Sequence, residues 1–254
     1  MCTALPRPAA STSARMPATS GNFCGRWMPA CRKGNDSMGQ PLKIFSDFDG
    51  TITRIDVCDL LVDRCIGYAA RRAIDDAIVG GEMTFRQGYT AQFDGVTLTW
   101  EEARRILHRH NSLDPTFPPF VRWAEEAGIP LVILSCGLME VIREYLQPAG
   151  LAHLEIRANR ATIEGRRWRI HFWDDTPFGN DKAAAIRQAQ AQGYRAVYVG
   201  DGISDIHAAA AADILFAKRG ARLLKLCAER GIPCRPFSDF DEARAALQAE
   251  RSDA

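Results

Sequence analysis

The most informative segment of the chain is Lys43-Ile44-Phe45-Ser46-Asp47-Phe48-Asp49-Gly50-Thr51. Its apolar beginning predicts a short buried strand, and two carboxylates follow where that strand ends. Alternation along an extended chain places Asp47 and Asp49 on the same side, close enough to share one cation or one proton. Asp and Gly are also common in simple turns, so the segment must be weighed with the rest of the chain.

The composition excludes several classes of protein. The 254 residues contain 32 Lys and Arg and 31 Asp and Glu, a formal net charge of +1, which gives no electrostatic basis for a nucleic-acid or membrane partner. The apolar content of 46% is ordinary for a globular protein, and no apolar run is long enough to span a membrane. The eight cysteines include no C-x-x-C pair, so we expect reduced thiols and a cytoplasmic location rather than disulfides or zinc.

Residues 1–39 differ in composition from the rest of the chain. They are rich in Arg, Ala, Pro and Ser and contain a single acidic residue, Asp36. No apolar period runs through them, so we expect a disordered N-terminal extension, with an organelle transit peptide as the alternative. Met38 directly precedes the first predicted strand and could be the true start.

From residue 40 onward, short apolar strands alternate with helical patterns. Because such strands are buried on both sides, the alternation predicts an α/β fold, a parallel sheet with helices on both faces. Three strands end in polar residues, and the carboxyl ends of parallel strands are where ligands bind, so we expect Asp47, Ser135 and Asp201 to meet at one site. The predicted strands are 42–46, 131–134, 196–199 and 214–216, and the helices 138–146, 181–191, 204–212, 221–229 and 239–249.

The segment between the first two strands is too long for an ordinary crossover. Its helical patterns cover 56–78, 85–92, 100–110 and 117–127. We therefore divide the chain into an α/β core, residues 40–53 and 128–254, and an inserted small helical cap, residues 54–127. This position suits a lid that closes over substrate, and an extra packing layer is the alternative. Residues 155–172 predict a hairpin at the sheet edge.

The acidic residues at the strand ends indicate phosphoryl chemistry that depends on a metal. Asp47 is a candidate nucleophile that could carry a phosphoryl group, and Asp49 is placed to give a proton to the leaving oxygen. A hard cation such as Mg²⁺ suits oxygen ligands from Asp47, Asp49 and Asp201. Asp205 could ligate the metal or orient its water, or it could simply complement the dipole of the helix that follows.

Two further positions suit phosphate binding. The Ser135 hydroxyl and the N–H groups of Cys136 and Gly137 could bind phosphate oxygens, unless Ser135 merely caps the next helix. Lys182 lies in the first turn of its predicted helix, where the dipole disfavours a cation, and this weakly supports contact with an anion.

Together these motifs resemble the haloacid dehalogenase superfamily of aspartate-nucleophile phosphohydrolases. The resemblance rests on DFDGT at 47–51, Ser135, Lys182 and GDGISD at 200–205. It implies a Rossmann-like core, a Mg²⁺ cofactor, an aspartyl-phosphate at Asp47 and acid–base work by Asp49. It also implies phosphate contacts from Thr51, Ser135 and Lys182, metal contacts from Asp47, the Asp49 carbonyl and Asp201, and a first-type (C1) cap inserted after the first motif.

Within the superfamily the chain resembles the phosphoserine-phosphatase-like group with a helical cap. Asp56 stands where those enzymes carry a Glu that contacts substrate, and the segment with Met83 and Phe85 resembles their cap sequence. The Arg that binds the substrate carboxylate is replaced by Gln92, which cannot form a charge-assisted clamp. Arg86, on the same helix, would point elsewhere.

The chain also resembles the methionine-salvage phosphatases that act on 2-hydroxy-3-keto-5-methylthiopentenyl-1-phosphate. Thr51-Ile52-Thr53 and the segments 213–218 and 236–240 carry this likeness, whereas Cys136 replaces the usual Gly. We therefore expect a Mg²⁺-dependent phosphomonoester hydrolase acting on a small phosphorylated metabolite, with that enol phosphate as the candidate substrate. The alternatives are a phosphoserine phosphatase and a non-catalytic, phosphate-binding regulatory protein.

Overall fold

The computed structural model of the chain describes residues 40–110 and 113–252. The interpretation of residues 1–39 as a disordered extension lies outside the described residues. Within them, no helix is long and apolar enough to cross a membrane.

A seven-stranded sheet forms the centre of the described part of the chain, in the order β4-β3-β2-β1-β5-β6-β7. Neighbouring strands are parallel except β3 and β4, which form the predicted edge hairpin. The α/β fold class and the four predicted strands are thereby confirmed. The strands are β1 (Leu42–Ser46), β2 (Leu131–Leu138), β3 (Glu155–Glu164), β4 (Arg167–His171), β5 (Arg195–Gly200), β6 (Ile214–Lys218) and β7 (Arg235–Phe237).

Ten α-helices surround this sheet in the described residues. They are α1 (Val57–Ile66), α2 (Tyr68–Val79), α3 (Phe85–Asp94), α4 (Trp100–Arg109), α5 (Phe117–Glu126), α6 (Met139–Leu146), α7 (Lys182–Ala191), α8 (Ile206–Ala211), α9 (Arg222–Arg230) and α10 (Phe240–Ser252), with a 3₁₀ turn at Ile203–Asp205.

One sequence-based expectation about local structure is wrong. The single helix predicted over 56–78 is two helices, because Gly67 adopts φ of +84° between α1 and α2, a conformation that favours glycine. The predicted hairpin is present at the sheet edge, and β3 connects it to the rest of the sheet by pairing in parallel with β2. The strand β7 was not predicted, because three residues are too few to show a period.

Alternation along the strands divides the core between the two faces of the sheet. Ile44 of β1 packs in one cluster, with residues of α5, α6 and α10, and with most of the buried residues between β1 and β2. Its neighbour Phe45 packs in a second cluster, with residues of α7, α8 and α9. Because these strands are buried on both faces of the sheet, polar residues are accommodated where the strands end, at the rim of the sheet. The candidate site lies at this rim.

The helices α1–α4 leave the sheet and return to it through a narrow neck. Thr53 forms an antiparallel bridge with Leu113, and the Asp114 N–H donates to the Ile52 carbonyl at 2.9 Å. Helix α5 instead packs on α10, where the Phe117 and Phe240 rings lie 4.9 Å apart. We therefore propose that α1–α4 form the cap and that α5, which the sequence grouped with them, belongs to the core.

Candidate active site

The carboxyl ends of β1, β2 and β5 bring the predicted catalytic residues together. Strand β1 ends immediately before Asp47, and its register places it between β2 and β5. Asp47 is buried, and its Oδ1 accepts from the Phe48 N–H at 2.7 Å and lies 3.0 Å from Lys182 Nζ. Burial and the nearby Asp205 carboxylate raise the pKa of Asp47 well above its ordinary value, and the Lys182 ammonium only partly opposes them.

Asp49 lies between the first turn of α1 and the last residues of β2. Its Oδ1 accepts from the N–H groups of Val57 and Cys58 at 3.2 and 3.3 Å. A Cβ built on Gly137 would lie only 2.2 Å from Asp49 Oδ2, so this close approach requires glycine. Burial, with the charges of Asp56 and Asp47, raises the pKa of Asp49 well above its ordinary value. A carboxyl held protonated in this way is suited to donate a proton.

Lys182 is the first residue of α7, and its side chain is only 2% exposed. The N-cap of this helix is Asp181, which accepts from the Ala184 N–H at 2.9 Å. Lys182 Nζ lies 2.7 Å from Asp205 Oδ1 as well as near Asp47. Burial opposes the charge of Lys182, but the two carboxylates outweigh it and raise the pKa of Lys182 well above its ordinary value. The ammonium therefore carries a full charge beside the candidate nucleophile.

Three carboxylates form a cluster that could hold a metal ion. One oxygen from each of Asp47, Asp201 and Asp205 lies within 4.8 Å of the others. Burial and the Asp205 charge raise the pKa of Asp201 to about 7, although a hydrogen bond from Thr51 Oγ1, 2.7 Å long, opposes the shift. Carboxylates this crowded repel one another, so a bound divalent cation would relieve an unfavourable arrangement. The Asp49 side chain is not part of this cluster.

Asp205 is more than a charge at a helix end. Its side chain is fully buried, and its Oδ1 accepts from Lys182 Nζ and the Tyr198 hydroxyl, at 2.7 and 2.6 Å. Its Oδ2 accepts from the N–H groups of Asp201 and Gly202 at 3.0 and 2.9 Å. Burial opposes ionisation, but Lys182 and these hydrogen bonds outweigh it and hold the pKa of Asp205 below its ordinary value. With both oxygens engaged, Asp205 is better suited to orient Lys182 and the loop than to ligate the ion.

The predicted phosphate-binding residues Ser135, Cys136 and Gly137 lie in the last residues of β2, where its pairing with β3 shifts register, rather than in a loop after the strand. Ser135 does not cap α6, whose N-cap is Leu138 with no side-chain hydrogen bond. Instead Ser135 Oγ accepts from the Gly137 N–H at 2.9 Å, so that N–H is already engaged. The Cys136 thiol lies 4.0 Å from the Asn180 carbonyl, and burial raises its pKa to about 12. A thiol with that pKa is an unreactive filler at neutral pH.

Three residues that support the site were missed from the sequence. The Tyr198 hydroxyl bonds Asp205, Lys218 Nζ donates to the Thr51 carbonyl at 2.9 Å, and Asn180 Nδ2 donates to the Ser135 carbonyl at 2.8 Å. The first two carried a signal, since a phenol or an ammonium in an apolar strand needs a partner. Asn180 carried none beyond its position before Lys182.

A cavity of about 580 Å³ joins these residues to α1–α3. The predicted cap residues Asp56, Met83 and Phe85 all line it, as does Gln92. Asp56 is also the N-cap of α1, where it accepts from the Asp59 N–H at 2.8 Å. Asp47, Asp49 and the predicted cap residues therefore line one shared cavity, as a lid over substrate would require.

Comparison with known proteins identifies the family. The family model for haloacid dehalogenase-like hydrolases matches residues 44–210, well over half of the chain. The chain belongs to this family. The expected superfamily and enzyme class, phosphomonoester hydrolase, are confirmed, and phosphatases are among its relatives.

Curated relatives cover nearly the whole described chain. Pdp3-interacting factor 1 of Schizosaccharomyces pombe is 35% identical over 82% of this chain and 95% of its own. Polyol phosphate phosphatase PYP1 of Saccharomyces cerevisiae is 31% identical over 81% of this chain and 92% of its own. The 2-hydroxy-3-keto-5-methylthiopentenyl-1-phosphate phosphatase of Geobacillus kaustophilus is 31% identical over 83% of this chain and 97% of its own. The expected likeness to the methionine-salvage phosphatases is thus confirmed.

The solved structures agree on the fold. A phospho-aspartyl intermediate analogue of phosphoserine phosphatase superposes with a TM-score of 0.65 over 82% of this chain and 99% of that chain, at 17% identity. This likeness concerns the fold alone. It confirms the Rossmann-like α/β core that the sequence implied.

Proposed function

We propose that the chain is a Mg²⁺-dependent phosphatase that works through a phosphorylated Asp47. The observation that carries the proposal is that the Asp47 carboxylate touches the buried Lys182 ammonium and belongs to the acidic cluster with Asp201 and Asp205. A nucleophile beside a fixed cation and a metal site suits attack on a phosphate, whose charge both would neutralise. Asp47 and Asp201 would hold Mg²⁺ with the Asp49 carbonyl, and the ion would supply charge neutralisation.

The reaction follows from the positions of the two acids. An Asp47 oxygen attacks phosphorus, the bond from phosphorus to the leaving oxygen breaks, and protonated Asp49 gives that oxygen its proton. Asp49, now ionised, then takes a proton from the water that attacks phosphorus, which releases inorganic phosphate and restores Asp47. Lys182 and Ser135 would bind the phosphoryl oxygens, with the N–H groups of Cys136 and Gly137, provided that the Gly137 N–H leaves Ser135 Oγ. Thr51, expected to bind phosphate as well, is fully buried and donates its hydroxyl to Asp201, so it would hold that carboxylate instead.

The substrate we favour is a small phosphomonoester without a carboxylate. The methylthiopentenyl enol phosphate named in one set of relatives fits this description, and so does the polyol phosphate named in another. Phosphoserine fits less well, because Gln92 replaces the expected Arg. Arg86 does not replace it, since it donates to the Asp174 and Thr176 carbonyls and lies 4.5 Å from the Phe172 ring centre.

Hydrolysis of a panel of phosphomonoesters with Mg²⁺ tests the function. The panel contains 4-nitrophenyl phosphate, the methylthiopentenyl enol phosphate, erythritol 4-phosphate and phosphoserine, with the Asp47→Asn protein as the blank. Metal-dependent phosphate release that the blank lacks would support the proposal. No release from any substrate would favour the non-catalytic, phosphate-binding alternative. With unpaired thiols at five described cysteines, we place the enzyme in the reducing cytoplasm.

A further inference from the structure

The wall of the cavity that α1, α2 and α3 supply carries polar residues that the reaction does not use. Asp59, Arg71, Asp75 and Gln92 all line the cavity, and we refer to these four as the cap subsite. No comparison gives them a role. The part of a bound substrate that is not phosphate must occupy this cavity. The charges and hydrogen-bonding capacity of the cap subsite therefore determine which leaving group fits.

Arg71 is the centre of the cap subsite, and its side chain is only 8% exposed. Its Nε and Nη2 donate to the two oxygens of Asp63 at 2.6 and 3.1 Å. Its Nη1 lies 2.5 Å from Asp59 Oδ2 and 2.9 Å from Asp75 Oδ2. A guanidinium engaged by three carboxylates has no free fork for a fourth, so Arg71 cannot clamp a substrate carboxylate. Its contacts instead fix the carboxylates of Asp59 and Asp75.

Gln92 presents an acceptor rather than a donor. Its Nε2 donates to Asp75 Oδ1 at 2.8 Å, and because an ionised carboxylate only accepts, this bond fixes the amide orientation. Its Oε1 makes no hydrogen bond within residues 40–110 and 113–252. Where the phosphoserine-phosphatase-like group carries a cationic Arg, Gln92 therefore offers an oxygen that can accept a hydrogen bond from substrate.

The charges around the cap subsite are predominantly negative. Four carboxylates, those of Asp56, Asp59, Asp63 and Asp75, surround two guanidinium groups, of which Arg72 lies 3.7 Å from Asp75. Burial and the Asp56 charge raise the pKa of Asp59 to about 8, although Arg71 opposes the shift, so below that pH Asp59 adds no negative charge and can donate as well as accept a hydrogen bond. Such a wall repels an anionic leaving group and offers acceptors to hydroxyl donors.

We propose that Asp59, Asp75 and Gln92 are specificity-determining residues that accept hydrogen bonds from a polyhydroxylated leaving group, and that Arg71 is the positioning residue that holds the two carboxylates. This inference rests on the proposed phosphatase function. It goes further than that function because it names the residues that contact the leaving group and select it.

The test compares two substrates that share a four-carbon chain. Erythritol 4-phosphate carries three free hydroxyl groups and butyl phosphate carries none. We expect wild-type kcat/KM to favour the polyol by about 100-fold, because unpaired acceptors penalise the apolar chain. Arg71→Met and Asp75→Asn should each reduce this ratio about tenfold. Arg64→Met removes the same charge from the exposed end of α1, away from the cavity, and should leave the ratio unchanged.

Each outcome separates the inference from the proposed function. The inference is wrong if 4-nitrophenyl phosphate is hydrolysed but the wild-type ratio is near one, or if Arg71→Met and Asp75→Asn both retain the wild-type ratio. In either case the proposed phosphatase function is still supported. A stronger preference for 4-aminobutyl phosphate would overturn the hydroxyl assignment in favour of an ammonium. If Arg71→Met does not fold, Arg71→Lys, which keeps the charge and loses the fork, is tested instead and should lower the ratio. If nothing is hydrolysed, the proposed function fails, and calorimetric binding of the two substrates to Asp47→Asn still decides the inference.

Discussion

Lys182 Nζ lies 2.7 Å from Asp205 Oδ1, and both side chains are removed from solvent. Each charge would destabilise the fold without the other, because an isolated buried ion loses its hydration and gains no interaction that compensates for the loss. The pair links the first residue of α7 to the loop after β5. It thereby fixes the ammonium against Asp47, and the stability of the fold and the geometry of the site depend on the same contact.

Replacement of Asp205 should therefore destabilise the protein strongly. Asp205→Asn leaves Lys182 with only Asp47 as a counter-charge, and we expect a loss of about 3–5 kcal/mol in the free energy of unfolding. Urea unfolding measures it. The matched control is Asp241→Asn, which breaks the more exposed Asp241–Arg244 pair and should cost less than about 1 kcal/mol. Equal losses in the two variants would contradict the structural role of Asp205.

Replacement of Asp47 should remove turnover without unfolding the protein. Asp47→Asn retains the shape of the side chain but not the nucleophile, so we expect phosphate release to fall by about 10⁴-fold or more. Its melting temperature should not fall, because burial already disfavours the Asp47 charge. The same substitution at the fully exposed Asp175 is the control and should keep activity. Turnover by Asp47→Asn near the wild-type rate would refute the assignment of the nucleophile.

The sequence predicted which residues meet at the rim of the sheet for a physical reason. Asp47 and Asp201 follow apolar strands, Ser135 lies near the end of another, and parallel strands place their carboxyl ends at one rim. Lys182 was recognised because a cation is unusual in the first turn of a helix. These signals lie within short segments, so they can be recognised in a single sequence.

The contacts around those residues could not be predicted in the same way. The bond between Lys218 and the Thr51 carbonyl joins residues 167 positions apart in the chain. The bond between Tyr198 and Asp205 spans only seven positions, but it depends on how the chain turns back after β5. Arg71 resembles any helical surface arginine in sequence, and its burial emerges only because Gly67 turns α2 back against α1. Long-range packing of this kind leaves no period in the sequence.

The stability of the metal-free protein should fall as the pH rises. An acid whose pKa is higher in the folded chain than in the unfolded chain costs stability as pH increases between the two values. For Asp201 that interval runs from 3.8 to about 7. Without Mg²⁺, we expect the melting temperature of Asp201→Asn to exceed that of wild type by several degrees at pH 8, and the gap to close at pH 4.

Magnesium should reverse that difference at pH 8. A divalent cation favours the ionised carboxylates, so excess Mg²⁺ should raise the wild-type melting temperature, whereas Asp201→Asn should respond weakly. Addition of EDTA should restore the metal-free order. Equal stabilisation of both proteins by Mg²⁺ would show that Asp201 does not ligate the ion.

A methyl group at Gly137 should impair proton donation by Asp49. Gly137→Ala places a Cβ 2.2 Å from Asp49 Oδ2, so the carboxyl must move. We expect kcat for alkyl phosphates to fall by about 100-fold or more, with a smaller loss for 4-nitrophenyl phosphate, whose leaving group needs little protonation. In Gly202→Ala the nearest atom lies at 3.8 Å, so this variant controls for an added methyl group. Equal losses for both substrates would argue against an acid role for Asp49.

The narrow neck at Thr53 and Leu113 has a consequence for how this chain can change. The two ends of the α1–α4 insertion are already joined by a backbone bridge and by the bond from Asp114 to Ile52. We therefore expect that the segment beyond the first turn of α1, whose N–H groups bind Asp49, can be exchanged without altering the strands that lead to the site. On the proposed division into cap and core, the choice of substrate could then change while the catalytic strands stay the same, and a graft at this junction is a direct way to test that.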